Sequence, residues 1–149
     1  MNNEEKIKKI VELVSEQSFF ILCTQGEGHP YGSLIAYTFK NDLKNFFFAT
    51  SRNTRKYKLL SACPKAAIVI DSRCKNHDEF MKIDVLTATG KAVQILKNEK
   101  DFETDMGLLK NRHPYLGEFL ESDYTALFRL DVENFIYVNN FQEVFEWKP

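Results

Sequence analysis

Apolar residues recur along this chain in two rhythms. Near the start, Ile7, Ile10, Val11 and Val14 fall at helical spacing among lysines and glutamates, which predicts an amphipathic helix over residues 3–16. The apolar stripe is narrow and the other face carries mixed charge, so the pattern fits packing on a core better than binding to a membrane. The rhythm then shortens to that of strands. Residues 18–25 (SFFILCTQ) and 31–39 (YGSLIAYTF) flank a Gly-Glu-Gly-His turn, and residues 46–50 return after a polar turn at 41–45. This is a meander of antiparallel hairpins. Gly32 inside the second strand predicts a bulge or a close backbone approach. A helix over 54–62 then crosses to a strand at 66–71. Beyond a polar loop at 72–82 the pattern predicts a long strand over 83–96, a helix over 98–110 capped by Asn98, and a short helix after Pro114. A strand-rich segment over 125–140 and a short strand at 144–147 complete the chain. Six or seven strands with a few peripheral helices predict a mainly β fold closed into a small antiparallel barrel.

A length of 149 residues without repeat or linker predicts one domain over 1–149, large enough to bury a core unaided. The 13 phenylalanines favour a folded, β-rich chain. A net charge of -1 argues against wholesale nucleic-acid binding, and any cationic site must be local. Cys23, Cys63 and Cys74 lack ligand spacing and read as reduced, buried thiols. His29, His77 and His113 are far apart and read as surface or capping groups with no metal cluster. Asp123, Asp131 and Glu133 read as a solvated edge, and no Ser-His-Asp set, Walker loop or GxGxxG is present. The N-terminus is polar, and no apolar run approaches the roughly 20 residues that span a bilayer, which predicts a cytoplasmic protein.

The chemistry concentrates between Asn45 and Asp71. A strand, FFFATS, ends in two hydroxyls, Thr50 and Ser51. Arg52, Arg55, Lys56 and Lys58 follow within seven residues, and no acid lies between Ser51 and Lys65. With a helix starting near Asn53 or Thr54, Arg55 and Lys56 occupy its first turn. Cations are unfavourable there, because that end carries partial positive charge. A bound anion reverses the balance and also meets free backbone N–H groups. Arg offers a planar fork, Lys a point charge, and Thr and Ser neutral donors, so the segment reads as a phosphate-binding corner.

The ordered set QGEGHP, YGSLIAYTF, FFFATS, NTRKYKLL, ACPKAAIVID and VLTATGKAVQI resembles the pyridoxamine 5′-phosphate oxidase-like family of FMN-binding split β-barrels. The likeness covers most of the chain. It implies a split barrel that binds FMN at a homodimer interface, with the flavin phosphate on Thr50, Ser51, Arg55 and Lys56. It implies further that the flavin ring lies along Ser33, Leu34 and Ile35, and that Phe48 and Ala49 flank the ribityl chain. Asn139, Asn140, Phe141 and Trp147 are candidates to complete the partner's site. The expected function is an oxidoreductase passing hydride or electrons between flavin and a small substrate. The alternatives are a flavin- or ligand-binding module without turnover, such as a redox sensor or stress protein, and a relative that takes a deazaflavin or haem. The substrate-phosphate residues of pyridoxamine-phosphate oxidase itself have no counterpart in the C-terminal third.

Overall fold

The computed structural model describes residues 1–149. Helix α1 (Asn3–Glu16) starts at Asn2, whose side chain accepts from Glu5 N–H at 2.9 Å while the Glu5 carboxylate accepts from Asn2 N–H at 3.0 Å. This reciprocal pair satisfies two donors that a helix start leaves free. Strands β1 (Phe19–Gly26), β2 (His29–Phe39) and β3 (Asn45–Ser51) form the expected meander, and α2 (Arg55–Ala62) crosses to β4 (Lys65–Asp71). A 3₁₀ turn (Phe80–Lys82) precedes β5 (Val85–Ile95). Helix α3 (Phe102–Arg112), a 3₁₀ turn (Pro114–Leu116) and α4 (Gly117–Glu121) lead to β6 (Thr125–Asn139) and β7 (Glu143–Trp147).

The strands are ordered β3-β2-β1-β4-β5-β6-β7, all antiparallel, and β3 also pairs with β6. That last pairing closes six strands into a barrel, with β7 added outside on β6. The 15 residues of β6 serve three partners: β3 through its first half, β7 through its end, and β5 along most of its length. The expected split barrel, mainly β with peripheral helices, is the architecture observed.

Phe20, Tyr37, Phe46, Phe48, Phe135 and Tyr137 fill the interior, and α1 adds Ile10, Leu13 and Val14. A second apolar cluster lies outside the barrel, where Phe47 and Leu127 meet Phe102, Met106 and Leu109 of α3 and Leu120 of α4. Strand β3 is therefore covered on both faces. This explains its unbroken run of three buried phenylalanines, since a strand buried on both sides needs no alternation.

Two expectations change. Helix α3 begins after Asp101, so Asn98 caps nothing. Gly32 pairs in register with Cys23 and an added Cβ would meet only ordinary contacts, so no bulge lies there. The irregularity sits instead at Gly90, where the register with β6 shifts and a Cβ would stand 2.0 Å from the Asp131 carbonyl oxygen. No helix is long and apolar enough to cross a membrane.

Candidate functional site

The barrel is split between β2 and β3. Only Tyr37, Thr38 and Phe39 of β2 pair with β3, opposite Phe48, Phe47 and Phe46. Before Tyr37, β2 pairs with β1 alone, and after Phe48, β3 pairs with β6 alone. The facing edges at Leu34–Ala36 and Ala49–Ser51 thus share no ladder, and main-chain groups there are open to a ligand.

A cavity of about 400 Å³ occupies this gap. Its floor is Leu34, Ile35, Ala36 and Ala49. Its roof is the helical segment after β5, through Leu109, Tyr115, Leu116 and Phe119. At one end the lining turns polar, with Thr50, Ser51, Thr54 and Lys56. The volume lies in the range of small-molecule pockets, and the lining is apolar with polar groups gathered at one end.

The polar end is built by the start of α2. Thr54 caps the helix, accepting from Tyr57 N–H at 3.3 Å and donating its hydroxyl proton to the Ser51 carbonyl at 2.8 Å. Since that proton is committed, Thr50 Oγ1, 3.0 Å away, is the donor in the contact between the two threonines. Ser51 Oγ accepts from Asn53 N–H at 3.4 Å, which leaves its own proton free for a ligand. The first turn of α2 carries Arg55 and Lys56 and no acid, and neither cation is in a salt bridge.

Of the sequence-derived candidates, Leu34, Ile35, Ala49, Thr50, Ser51 and Lys56 line this cavity. Arg55 does not. It lines a neighbouring cavity across Thr54, its guanidinium 5.5 Å from the centre of the Tyr31 ring. Adjacent helical residues point about 100° apart, so two neighbouring cations cannot share one face. Phe48 is fully buried inside the barrel and stacks on Phe128 at 5.5 Å, so only its main chain can border a ligand. The Ser33 hydroxyl is buried without a partner and lines neither cavity. Asn139 is buried and Trp147 stacks on Phe135 of its own chain at 5.3 Å, whereas Asn140 and Phe141 are exposed in the β6–β7 turn.

Sequence reasoning missed Thr54, which lines both cavities, and the roof residues Tyr115, Leu116 and Phe119. The signal for Thr54 was its place as a hydroxyl before a basic helix. His113 caps the end of α3, one of the two roles expected of it, but it is buried and not at the surface. His113 Nε2 lies 2.7 Å from the Tyr37 carbonyl oxygen and so carries the proton, and Nδ1 accepts from the Tyr115 hydroxyl at 3.3 Å. Arg112 donates to the carbonyls of Val14, Ser15, Gln17 and Tyr37, tying the roof to the end of α1 and to β2. Burial pushes the Tyr37 phenol up to about 12, against the opposing pull of Arg112. Its hydroxyl donates to the Val14 carbonyl at 2.7 Å. Cys74 is exposed and Cys23 and Cys63 half-buried, in place of the expected buried set. No three His, Cys, Asp or Glu side chains converge as metal ligands.

Residues 7–139 match the family model of pyridoxamine 5′-phosphate oxidase. The chain belongs to the pyridoxamine 5′-phosphate oxidase family. No curated protein sequence matches it significantly. Among solved structures it is similar to a heme binding protein from Mycobacterium smegmatis (TM-score 0.85, 13% identity, 95% of this chain and 57% of that one). It is also similar to HutZ, the heme storage protein from Vibrio cholerae (0.75, 20%, 97% and 94%). A third is General Stress Protein 26 from Bacillus anthracis (0.71, 15%, 97% and 99%). The chain spans less than two thirds of the mycobacterial protein. At these identities the likeness concerns the fold.

Proposed function

We propose that this chain is an FMN-binding oxidoreductase of the split-barrel type, working as a homodimer on a small substrate. The observation that carries the reading is the one-ended polarity of the cavity in the barrel split. An apolar slot between Leu34–Ala36 and the roof suits a flat ring system. The unladdered strand edges suit the hydrogen-bonding edge of such a ring. At the polar end, Ser51, Lys56 and the start of α2 suit a phosphate dianion, with Arg55 across Thr54. When bound, the flavin supplies hydride and electron transfer. The chain's own residues hold the phosphate, shield the ring from water and leave one side open to a second molecule.

The rim supports the dimer. Leu34 and Tyr115 are each 67% exposed, and Phe19 and Phe119 are 48% and 38% exposed around one opening. Large apolar side chains grouped in this way mark an interaction surface, and a second copy would cover the open side of the ligand. Asn140 and Phe141 are exposed enough to meet such a partner, although Asn140 donates to Glu143 at 3.2 Å and Phe141 packs edge-on against Phe80 at 5.7 Å, whereas Asn139 and Trp147 are turned to their own chain.

Haem is the second reading, favoured by the two heme proteins among the similar structures. Haem iron needs an axial ligand. The histidine beside the cavity roof, His113, has both ring nitrogens engaged and would have to break a buried hydrogen bond to serve. The flavin reading requires no such change. The absorption spectrum of the purified protein decides between them. A flavin spectrum, or its appearance after adding FMN, supports the first reading, and a Soret band supports the second. Steady turnover with NADH or NADPH and an electron acceptor separates an enzyme from a passive flavin module.

A further inference from the structure

The second cavity, on the far side of Thr54, differs in kind from the first. It encloses about 380 Å³, and its lining includes Arg55, Lys58, His29, Asn53 and Tyr31. Arg55 and Lys58 form no salt bridge, and Glu27 is the one carboxylate on the wall. Arg55 is held over the Tyr31 ring, so its fork is oriented before any ligand arrives. A polar chamber with two uncompensated cations, a histidine and an amide selects an anion with several acceptor oxygens. The two chambers meet at Thr54, which lines both. A ligand group here therefore lies next to a phosphate held at Ser51 and Lys56.

We propose that this chamber takes a second phosphoryl group beside the flavin phosphate, an assignment that rests on the flavin reading of the first cavity. The group belongs either to the adenylate half of a flavin dinucleotide or to a separate nucleotide seated next to FMN. In both cases Arg55, Lys58 and His29 contact the second phosphoryl group and leave the first alone, while Thr54 borders both. Tyr31 and Asn53 provide a ring face and an amide for the rest of the nucleotide.

The test uses the full chain, stripped of bound flavin, as wild type, Lys58→Ala and His29→Ala. Flavin fluorescence quenching gives the Kd of FMN and of FAD, and calorimetry gives the Kd of ADP for FMN-saturated protein. FAD binding at least fivefold tighter than FMN identifies the linked source, and ADP binding to the FMN-saturated protein identifies the separate one. In either case Lys58→Ala lowers that affinity at least fivefold and leaves the FMN Kd within twofold. The proposal is overturned if FAD shows no gain and ADP does not bind. It is equally overturned if Lys58→Ala weakens FMN and FAD alike, which would put the flavin phosphate itself in this chamber. If the wild type binds no FMN, the flavin reading fails on its own. ADP binding to the unloaded protein then judges the chamber: dependence on Lys58 sustains it, and absence of binding ends it.

Discussion

Replacing Lys56 with glutamine separates the interests of ligand and fold at the first turn of α2. That turn holds Arg55 and Lys56 with no acid to offset them. A helix start carries roughly half a positive elementary charge, so a cation there destabilises the empty protein by about 0.3–1 kcal/mol. Glutamine and lysine have nearly equal helix propensities, so the substitution removes the charge and little else. For a domain of this size, about 1 kcal/mol moves Tm by about 2–4 °C, and the flavin-free variant should melt about 1–3 °C higher. A bound phosphate reverses the sign. Lys56 then makes a charge-assisted hydrogen bond worth about 1.5–3 kcal/mol. Its loss raises the FMN Kd about 10- to 150-fold. Arg55 is less suited to this test, because its contact with Tyr31, worth about 0.5–1 kcal/mol, offsets the helix-end penalty. Thermal unfolding of the flavin-free protein at low salt and calorimetric titration with FMN provide the two readings. A lower Tm would show that the Lys56 charge does not burden the empty helix start, and an unchanged FMN affinity that it meets no phosphate. High salt should shrink both differences.

Four further outcomes are expected. Ser51→Ala should weaken FMN about tenfold by removing the free hydroxyl donor. Thr50→Val should lower thermal stability more than affinity, since its proton already serves Thr54; calorimetry and melting curves read the two. Gly90→Ala should destabilise by about 3 kcal/mol in urea unfolding, because the new methyl meets main chain at 2.0 Å on both-sided ladder pairing. A loss below about 1 kcal/mol would show that β6 yields easily there. Asp105 is buried and desolvation raises its carboxyl above the usual range, against the pull of Lys40 at 3.8 Å. The folded state then binds the proton more tightly than the unfolded one, so this group lowers stability as pH rises from its unfolded value through its folded one. Asp105→Asn should therefore stabilise the protein at neutral pH and lose that advantage in acid, measured by denaturant titration across pH.

How much of the site was legible follows from how local each feature is. The cationic first turn of α2 is written in adjacent residues, and so are the two hydroxyls that precede it. The division of Arg55 from Lys56 was also within reach, since 100° per residue sends neighbours to different sides. The roof was not. Tyr115 and Phe119 stand far along the chain from Leu34 and Ala49, and nothing in their own neighbourhood says which strand edge they cover. His113 precedes a proline in a polar stretch and looks exposed. It is buried because Tyr37, on a distant strand, offers a carbonyl to its ring.

By itself the sequence determined the elements and their order: the period of the apolar residues, the capping side chains and the turn residues act over a few positions, and those forces operate before the chain closes. It also determined that four cations stand in one short segment without an acid, where they repel one another wherever they are placed. Only the tertiary structure decided that β3 leaves β2 after three pairs and joins β6, some 80 residues on. That choice opens the gap and seats the roof above it. It depends on how distant surfaces share one barrel, and such a balance is summed over the whole core.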